Sequence, residues 1–403
     1  MKDIFELITI GGGASGIIAS IAAAERGRNV LLLDKSDHPG RKILASGNGR
    51  CNLMNTGYPR YYGEHHFAEQ VITRYSAERL TEYFQKIGLM MTEEEDGRKY
   101  PLTYQSASVV SVLKNALKLY HVTVENNTCV TEVCRSSEGF TVSTASGVQY
   151  RGRKVLIACG GAAQPKLGGT KDGYKLLKSL GHTVVPVSPA LVPLTTDKKS
   201  ISGLSGIRTK CQVSIFRNHE MIHREYGEVL FTEYGVSGIC VMQCARFSGS
   251  QDTYMELDFL NNIFEDKTDI ITELKRRRSM LSDFSPVSIL DGILNAKLSY
   301  AVMKQACIPL HGETAGELSD EDLERIMHAV THYRLEIIGT RGFDYAQVTA
   351  GGADCSEFNP ETMESKIVPG LYAAGEVMNV DGDCGGFNLM FAFSSGITAG
   401  TAI

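Results

Sequence analysis

An α/β fold, a mostly parallel sheet whose two halves are separated by a long insertion, is predicted by three features of this 403-residue chain. The first is N-terminal. An apolar run at 5–10 meets the turn Gly11-Gly12-Gly13-Ala14-Ser15-Gly16, a small-residue helical stretch follows at 17–25, and a second apolar run at 29–33 ends in Asp34. The second is the return of strand–turn–helix character near the other end, in VPGLYAAGE (368–376) and DCGGFN (383–388). The third is the texture between them, where 210–260 alternate as antiparallel strands do and 265–335 are helical and charged.

The opening unit reads as strand, glycine turn, helix, strand, acid. Gly11 permits the tight turn, Gly13 lets the backbone approach a pyrophosphate, and Gly16 lets the helix pack close to the strand. Free N–H groups at the helix start attract phosphates. Asp34 lies eighteen positions after Gly16, where a carboxylate can accept hydrogen bonds from an adenosine ribose. A bare GxGxxG is a weak signal; with the strand before it and the acid in register, it predicts dinucleotide binding.

Composition bounds the class. The chain is long enough for two or three domains. Its 43% hydrophobic and 22% charged residues are those of an ordinary globular protein, and a formal charge of −5 leaves no basic footprint for nucleic acid. The basic run 275–278 lies in a helical pattern and reads as a solvated face. Ten scattered cysteines without a paired CxxC fit free thiols in a reducing cytoplasm. No run reaches the about 18 apolar residues of a membrane span, and Asp3 and Glu6 spoil the basic region a signal peptide needs. A cytoplasmic protein is expected.

Helical spacing covers 68–86 and 106–119, and short runs at 122–124, 130–133, 140–143 and 154–158 predict a meander returning to a buried parallel strand. Composition shifts near 186–193, and Ser319 with Asp322 predicts a capping box for a helix over 320–333. The expected organisation is therefore a nucleotide-binding domain from 1–189 and 340–403, a β-rich piece at 190–262 with a return strand near 330–340, and a helical piece at 263–339.

Three segments carry chemistry. The strand ending at Gly375 places Glu376 at its carboxyl end, where open α/β sheets bind ligands and where an acid can hold ribityl hydroxyls. Gly385 and Gly386 allow close backbone approach to a ring system. The apolar helix after them, with Asn388 and Leu389 in its first turn, adds about half a positive elementary charge at its start. The run 40–52 combines flexible glycines with Arg41, Lys42, Arg50, Ser46 and amides, which can neutralise phosphate and hydrogen-bond a ring edge.

The runs GRKILASGNGRCN (40–52), TMESKIVPGLYAAGE (362–376) and DCGGFNLMFAFSSG (383–396) resemble the signature of the BaiN/YhiN-type NAD(P)/FAD-dependent oxidoreductases, which include aminoacetone oxidase-like and bile-acid Δ4,6-reductase-like members. The resemblance extends over essentially the whole chain. It implies FAD in a two-part Rossmann-like domain of the glutathione-reductase type, with a β-barrel-like and a helical insertion capping the flavin. By position, Gly11, Gly13, Ser15 and Gly16 would hold the pyrophosphate. Asp34 and Lys35 would meet the adenosine ribose, and Val130 would offer its backbone to adenine. Arg41, Lys42, Ser46, Gly47, Asn48 and Asn52 would line the FAD, and Glu376 and Asn388 would serve its ribityl and ring ends. Ala14, Gly49, Gly160, Gly375, Gly385, Gly386 and Leu389 complete the candidate cofactor set. The chain departs from the pattern at Glu233, where the family often has histidine, and at Ile239, where it often has proline.

The expected reaction exchanges a hydride between flavin N5 and a small organic substrate, as in NAD(P)H-dependent reduction of an enone-like double bond. Tyr100, Tyr104 and Tyr234 are candidate proton donors. NADH or NADPH would act without its own Rossmann unit, since no second GxGxxG follows; 168–173 does not fit. The rivals are an amine or aminoketone oxidase using oxygen, and a flavin-bound sensor or RNA-associated scaffold without turnover. Net acidity argues against RNA, and no metal is expected. The C-x4-C pair Cys129 and Cys134 is not a redox disulfide: an odd separation on a strand sends the side chains to opposite faces, about 16 Å apart. Cys51 reads as a buried thiol, Cys240 and Cys244 as core, His65-His66 as a surface loop, and His311 and His332 as structural.

Overall fold

The computed structural model describes residues 4–58, 60–249, 252–261, 263–264 and 266–403. Asp3 and the expected boundary residue Asn262 lie outside them. The chain divides into two units, one from 1–189 and 347–403, the other from 190–346.

The first unit begins with β1 (Phe5–Ile10), α1 (Ala14–Glu25) and β2 (Val30–Leu33), and continues through α2 (Ser106–Leu119), β3 (Thr123–Glu125), β4 (Val130–Ser136), β5 (Gly139–Thr144) and β6 (Gln149–Ile157). After the insertion come β7 (Leu371–Ala373) and α3 (Phe387–Ala402). The parallel strands run β3-β2-β1-β6-β7, and the first half of β6 pairs antiparallel with β5, which pairs with β4. Leu7, Ile8, Leu31, Leu32, Val155, Leu156 and Ile157 are buried, as strands covered on both faces require. The chain leaves β1 toward β2 on one side, while β6 arrives on the other. The carboxyl end of β1 is therefore the switch point of the sheet, and the glycine turn sits on it.

α1 and α3 pack through small residues. A Cβ at Gly396 would lie 2.5 Å from the Ser15 carbonyl oxygen and 2.6 Å from Ile18 Cγ2, and one at Gly400 would collide with the Ala19 carbonyl. Gly396→Leu is expected to destabilise the protein by about 3 kcal/mol, because a well-packed helix contact has nowhere to put the added volume. Urea unfolding measures this, and a loss below about 1 kcal/mol would rule out so close a contact.

The helical region expected at 68–86 is two helices, His65–Arg74 and Ala77–Lys86. At the break Ser76 is the extended N-cap of the second helix, and the Ser394 hydroxyl of α3 donates to the Tyr75 carbonyl (2.9 Å). His65 and His66 open the first of these helices rather than lying in a loop, and both are exposed.

The second unit holds a closed antiparallel barrel, Leu194–Thr196, Gly235–Ser237, Glu220–Phe231, Arg208–Arg217, Thr253–Asp258 and Tyr333–Thr340, the last pairing back to the first. Because Tyr333–Thr340 closes this barrel, the first unit resumes at Gln347. Helices Lys267–Met280, Ala296–Gln305 and Asp320–Thr331 complete the unit, and Ser319 and Asp322 form the capping box of the last. The basic run 275–278 is not simply solvated. Arg276 and Arg277 bind Glu273 and hold its carboxyl down at about 2. Lys275 and Arg278 bind Asp320, and Arg277 and Arg278 also donate to the Asp291 and Leu318 carbonyls. The run ties its helix to its neighbours. No helix among the described residues is long and apolar enough to cross a membrane.

Candidate functional site

Gly11 has φ +111°, and a Cβ there would collide with the Ala158 carbonyl, so only glycine turns the chain so tightly off β1. Gly16 sits directly over the Gly11 carbonyl. The Asp34 carboxylate completes the turn. Its Oδ2 accepts the Gly12 N–H at 2.6 Å, its Oδ1 accepts the Ser36 N–H at 2.7 Å, and the side chain is buried. The Asp34 carbonyl accepts from Thr128, which brings Val130, two residues on, into the same neighbourhood. Lys35 is exposed; it adds to the Thr170 hydrogen bond and to Lys175 in holding the Asp172 carboxyl below its usual range.

The run 40–52 is fastened above this turn, since the Gly40 N–H donates to the Gly12 carbonyl at 2.7 Å. It contains the short helix Arg41–Ala45, with Arg41 exposed, and then an exposed stretch in which Gly47 (φ 56°) and Asn48 (φ 54°) are left-handed. Gly49 is exposed, and the Ser46 hydroxyl donates to the Ile43 carbonyl. Lys42 Nζ donates to Glu376 Oε2 at 2.9 Å, and Glu376 Oε1 accepts the Thr349 N–H at 2.9 Å. Glu376, expected to meet ribityl hydroxyls, therefore already has a partner on each oxygen. Gly160 (φ 70°) has open space beside it.

Three elements converge on the turn from distant parts of the chain. The Ser15 hydroxyl donates to the Ala374 carbonyl (3.2 Å), a Cβ at Gly375 would collide with that hydroxyl, and the Gly375 N–H donates to Ser395 on α3 (3.0 Å). At the start of α3, Gly386 (φ 106°) lies against Met54 and Asn52, and the Gly385 carbonyl accepts from Asn55 (2.9 Å). Asn388 is not free for a ring edge: its amide closes on the Gly382 N–H (2.9 Å) and carbonyl (2.8 Å). Leu389 follows it, half-buried. Sequence reasoning missed Thr349, Asn55, Ser395 and Gly161, where a Cβ would collide with Thr349 and Glu376. Asn55 lies three residues past the polar run and could have been included, whereas Thr349 carries no local signal.

Two features test whether FAD fits these residues, and both agree with it. The first turns of α1 and α3 have no side-chain cap, and a Cβ at Gly13 would meet nothing within 4 Å, so the turn presents open N–H groups. The Asn52 side-chain oxygen is buried without a hydrogen-bond partner beside Gly386. Two of the three tyrosines lie together in the first unit. Tyr100 is buried under the Arg50 guanidinium (4.8 Å), Tyr104 lies 5.4 Å from it ring to ring, and Tyr234 belongs to the other unit. Burial raises the Tyr100 phenol above its usual range. Cys51 is buried and its thiol is pushed up to about 11, while Cys129 and Cys134 carry free thiols. Among the described residues no cluster of three His, Cys, Asp or Glu side chains is placed to hold a metal ion.

The family model described as the HI0933-like protein Rossmann domain matches residues 5–402. The chain belongs to this family. The HI0933-like chain is 35% identical to the 3-dehydro-bile acid Δ(4,6)-reductase of Clostridium scindens, over 98% of its own length and 97% of that protein. It is 31% identical to the ribosomal RNA dihydrouridine synthase of Escherichia coli, over 97% and 96%. Among solved structures, 3-ketosteroid Δ1-dehydrogenase from Sterolibacterium denitrificans matches with TM-score 0.51 at 13% identity, covering 99% of both chains. 3-Ketosteroid-Δ4-(5α)-dehydrogenase from Rhodococcus jostii RHA1 matches with TM-score 0.50 at 13% identity, over 100% and 97%. The HI0933-like chain thus has the Rossmann-type FAD-binding fold and is an FAD-dependent oxidoreductase.

Proposed function

We propose that this chain reduces a carbon–carbon double bond conjugated to a carbonyl group, with NADH or NADPH as the electron donor. The observation that carries the reading is that one unit holds the uncapped starts of both α1 and α3, with Asn52 presenting an unpaired buried oxygen beside the second. FAD, when bound, supplies two-electron exchange with an organic substrate. The amides after Gly13 would hold its pyrophosphate and Asp34 its adenosine ribose. Lys42 and Glu376 would lie along its middle, with Asn52 and the Gly385–Gly386 backbone at its ring. The α3 start contributes partial positive charge where reduction would raise electron density.

The relatives support this choice of bond. A bile-acid Δ(4,6)-reductase and a dihydrouridine synthase share, by name, the addition of two hydrogens across a double bond of an electron-poor ring. The substrate class is therefore a cyclic enone or a close electronic equivalent. A formal charge of −5 and the pairing of 275–278 within their own unit favour a small molecule over a polyanion. The second reading, a uracil ring within RNA, rests on the dihydrouridine synthase relative.

Anaerobic mixing of FAD-saturated protein with NADH or NADPH tests this. The yellow colour should bleach with one of them and return on adding a 3-oxo-Δ4 steroid. Colour returning only with uridine-containing RNA would favour the second reading. Failure of both nucleotides, or return of colour with oxygen alone, would sink the reductase.

A further inference from the structure

The second unit contains an arginine that the reading above does not use. Arg341 follows the barrel strand Tyr333–Thr340, and its guanidinium carbon lies 4.1 Å from the Tyr234 ring centroid and 3.9 Å from that of Tyr345. Backbone hydrogen bonds fix the three residues at one end of the barrel. Arg341 N–H donates to the Pro193 carbonyl (3.0 Å), Thr196 N–H to the Tyr234 carbonyl (3.1 Å), and Tyr345 N–H to the Gly342 carbonyl (3.2 Å). Two other ring-stacked arginines carry a carboxylate. Arg334, over Tyr254, binds Glu336 at 2.6 Å, and Arg50, over Tyr100, lies 3.7 Å from Glu94. Among the described residues Arg341 has no carboxylate partner. It is only half-buried, and Tyr345 is exposed, so a ligand can reach it.

A planar cation held against aromatic rings loses little freedom on binding, and its N–H fork matches a carboxylate in a bidentate way. The surroundings select among anions. The phenol rings suit the hydrocarbon body of an organic acid, while exposed Glu233 and Asp344, next to Tyr234 and Tyr345 in the chain, oppose a multiply charged phosphate ester. We propose that Arg341, stacked on Tyr234 and Tyr345, is a subsite for the carboxylate of a singly charged organic acid. Tyr234 is then a wall of this subsite rather than a proton donor.

The test compares a 3-oxo-Δ4 steroid carboxylic acid with its methyl ester, by equilibrium dialysis, in the wild-type holoprotein, Arg341→Gln and Arg341→Lys. The wild type should bind the acid more tightly than the ester. In Arg341→Gln that preference should fall by about 10- to 100-fold. In Arg341→Lys, which keeps the charge and loses the fork, it should fall by less. Thermal melting reports whether the barrel survives each substitution. An acid-over-ester preference that is absent in the wild type, or unchanged in a folded Arg341→Gln, overturns the proposal.

Discussion

Valine at position 16 is expected to leave the protein without FAD. The added Cβ would collide with the Gly11 carbonyl oxygen and lie 3.2 Å from Ala158 Cβ. Gly11 cannot give way, because its own backbone is turned at φ +111° with no room beside the Ala158 carbonyl. The strain therefore falls on rigid backbone at the point where α1 leaves β1. We expect a loss of about 3 kcal/mol in stability and at least a 100-fold weaker FAD affinity, since misplacing the N–H groups removes several charge-assisted hydrogen bonds at once. Urea unfolding of the apoprotein and a flavin-binding titration measure the two effects separately. A Gly16→Val protein that purifies yellow with ordinary affinity would show that this turn is not the pyrophosphate site.

The second large effect is expected from Asp34→Ala, and it should show before any cofactor is added. Asp34 accepts N–H groups from Gly12 and Ser36 in a buried position. Hydrogen bonds to a charged group contribute about 1.5–3 kcal/mol each, and removing the carboxylate leaves two amides without their acceptor. The apoprotein should lose about 2–4 kcal/mol. Asp34→Asn keeps one acceptor oxygen and should fall between the two. If Asp34→Ala weakened FAD binding while apoprotein stability stayed unchanged, the carboxylate would serve only the ribose and not the turn.

These two positions were also the most legible in the sequence, because their signals are local: an apolar strand, glycines at fixed steps, and an acid in register. The 106–119 helix, with its apolar spacing uninterrupted, matches α2 end to end. Legibility failed where a distant partner decides the outcome. Spacing alone runs the helix through Tyr75, whereas Ser76 starts a second helix and Ser394, 319 positions away, takes up the Tyr75 carbonyl at the break. Glu376 reads as a free acid at a strand end until Lys42, 334 positions away, is placed on it. Asn388 reads as a polar group at a helix start, yet the Gly382 backbone uses its amide. The basic run 275–278 has the composition of a solvated face, and its carboxylate and carbonyl partners lie partly on other segments.

The interrupted layout of the first unit has a temporal consequence. A ribosome delivers β1, α1 and β6 long before β7 and α3, and the whole of 190–346 emerges in between. The inserted unit has all its strands in hand first and can settle as an independent body, while the earlier unit waits with one edge of β6 and one side of α1 bare. With the site proposed above, prosthetic-group capture would be a late event in biogenesis, and chains stalled before residue 371 should collect as colourless intermediates that are prone to clump.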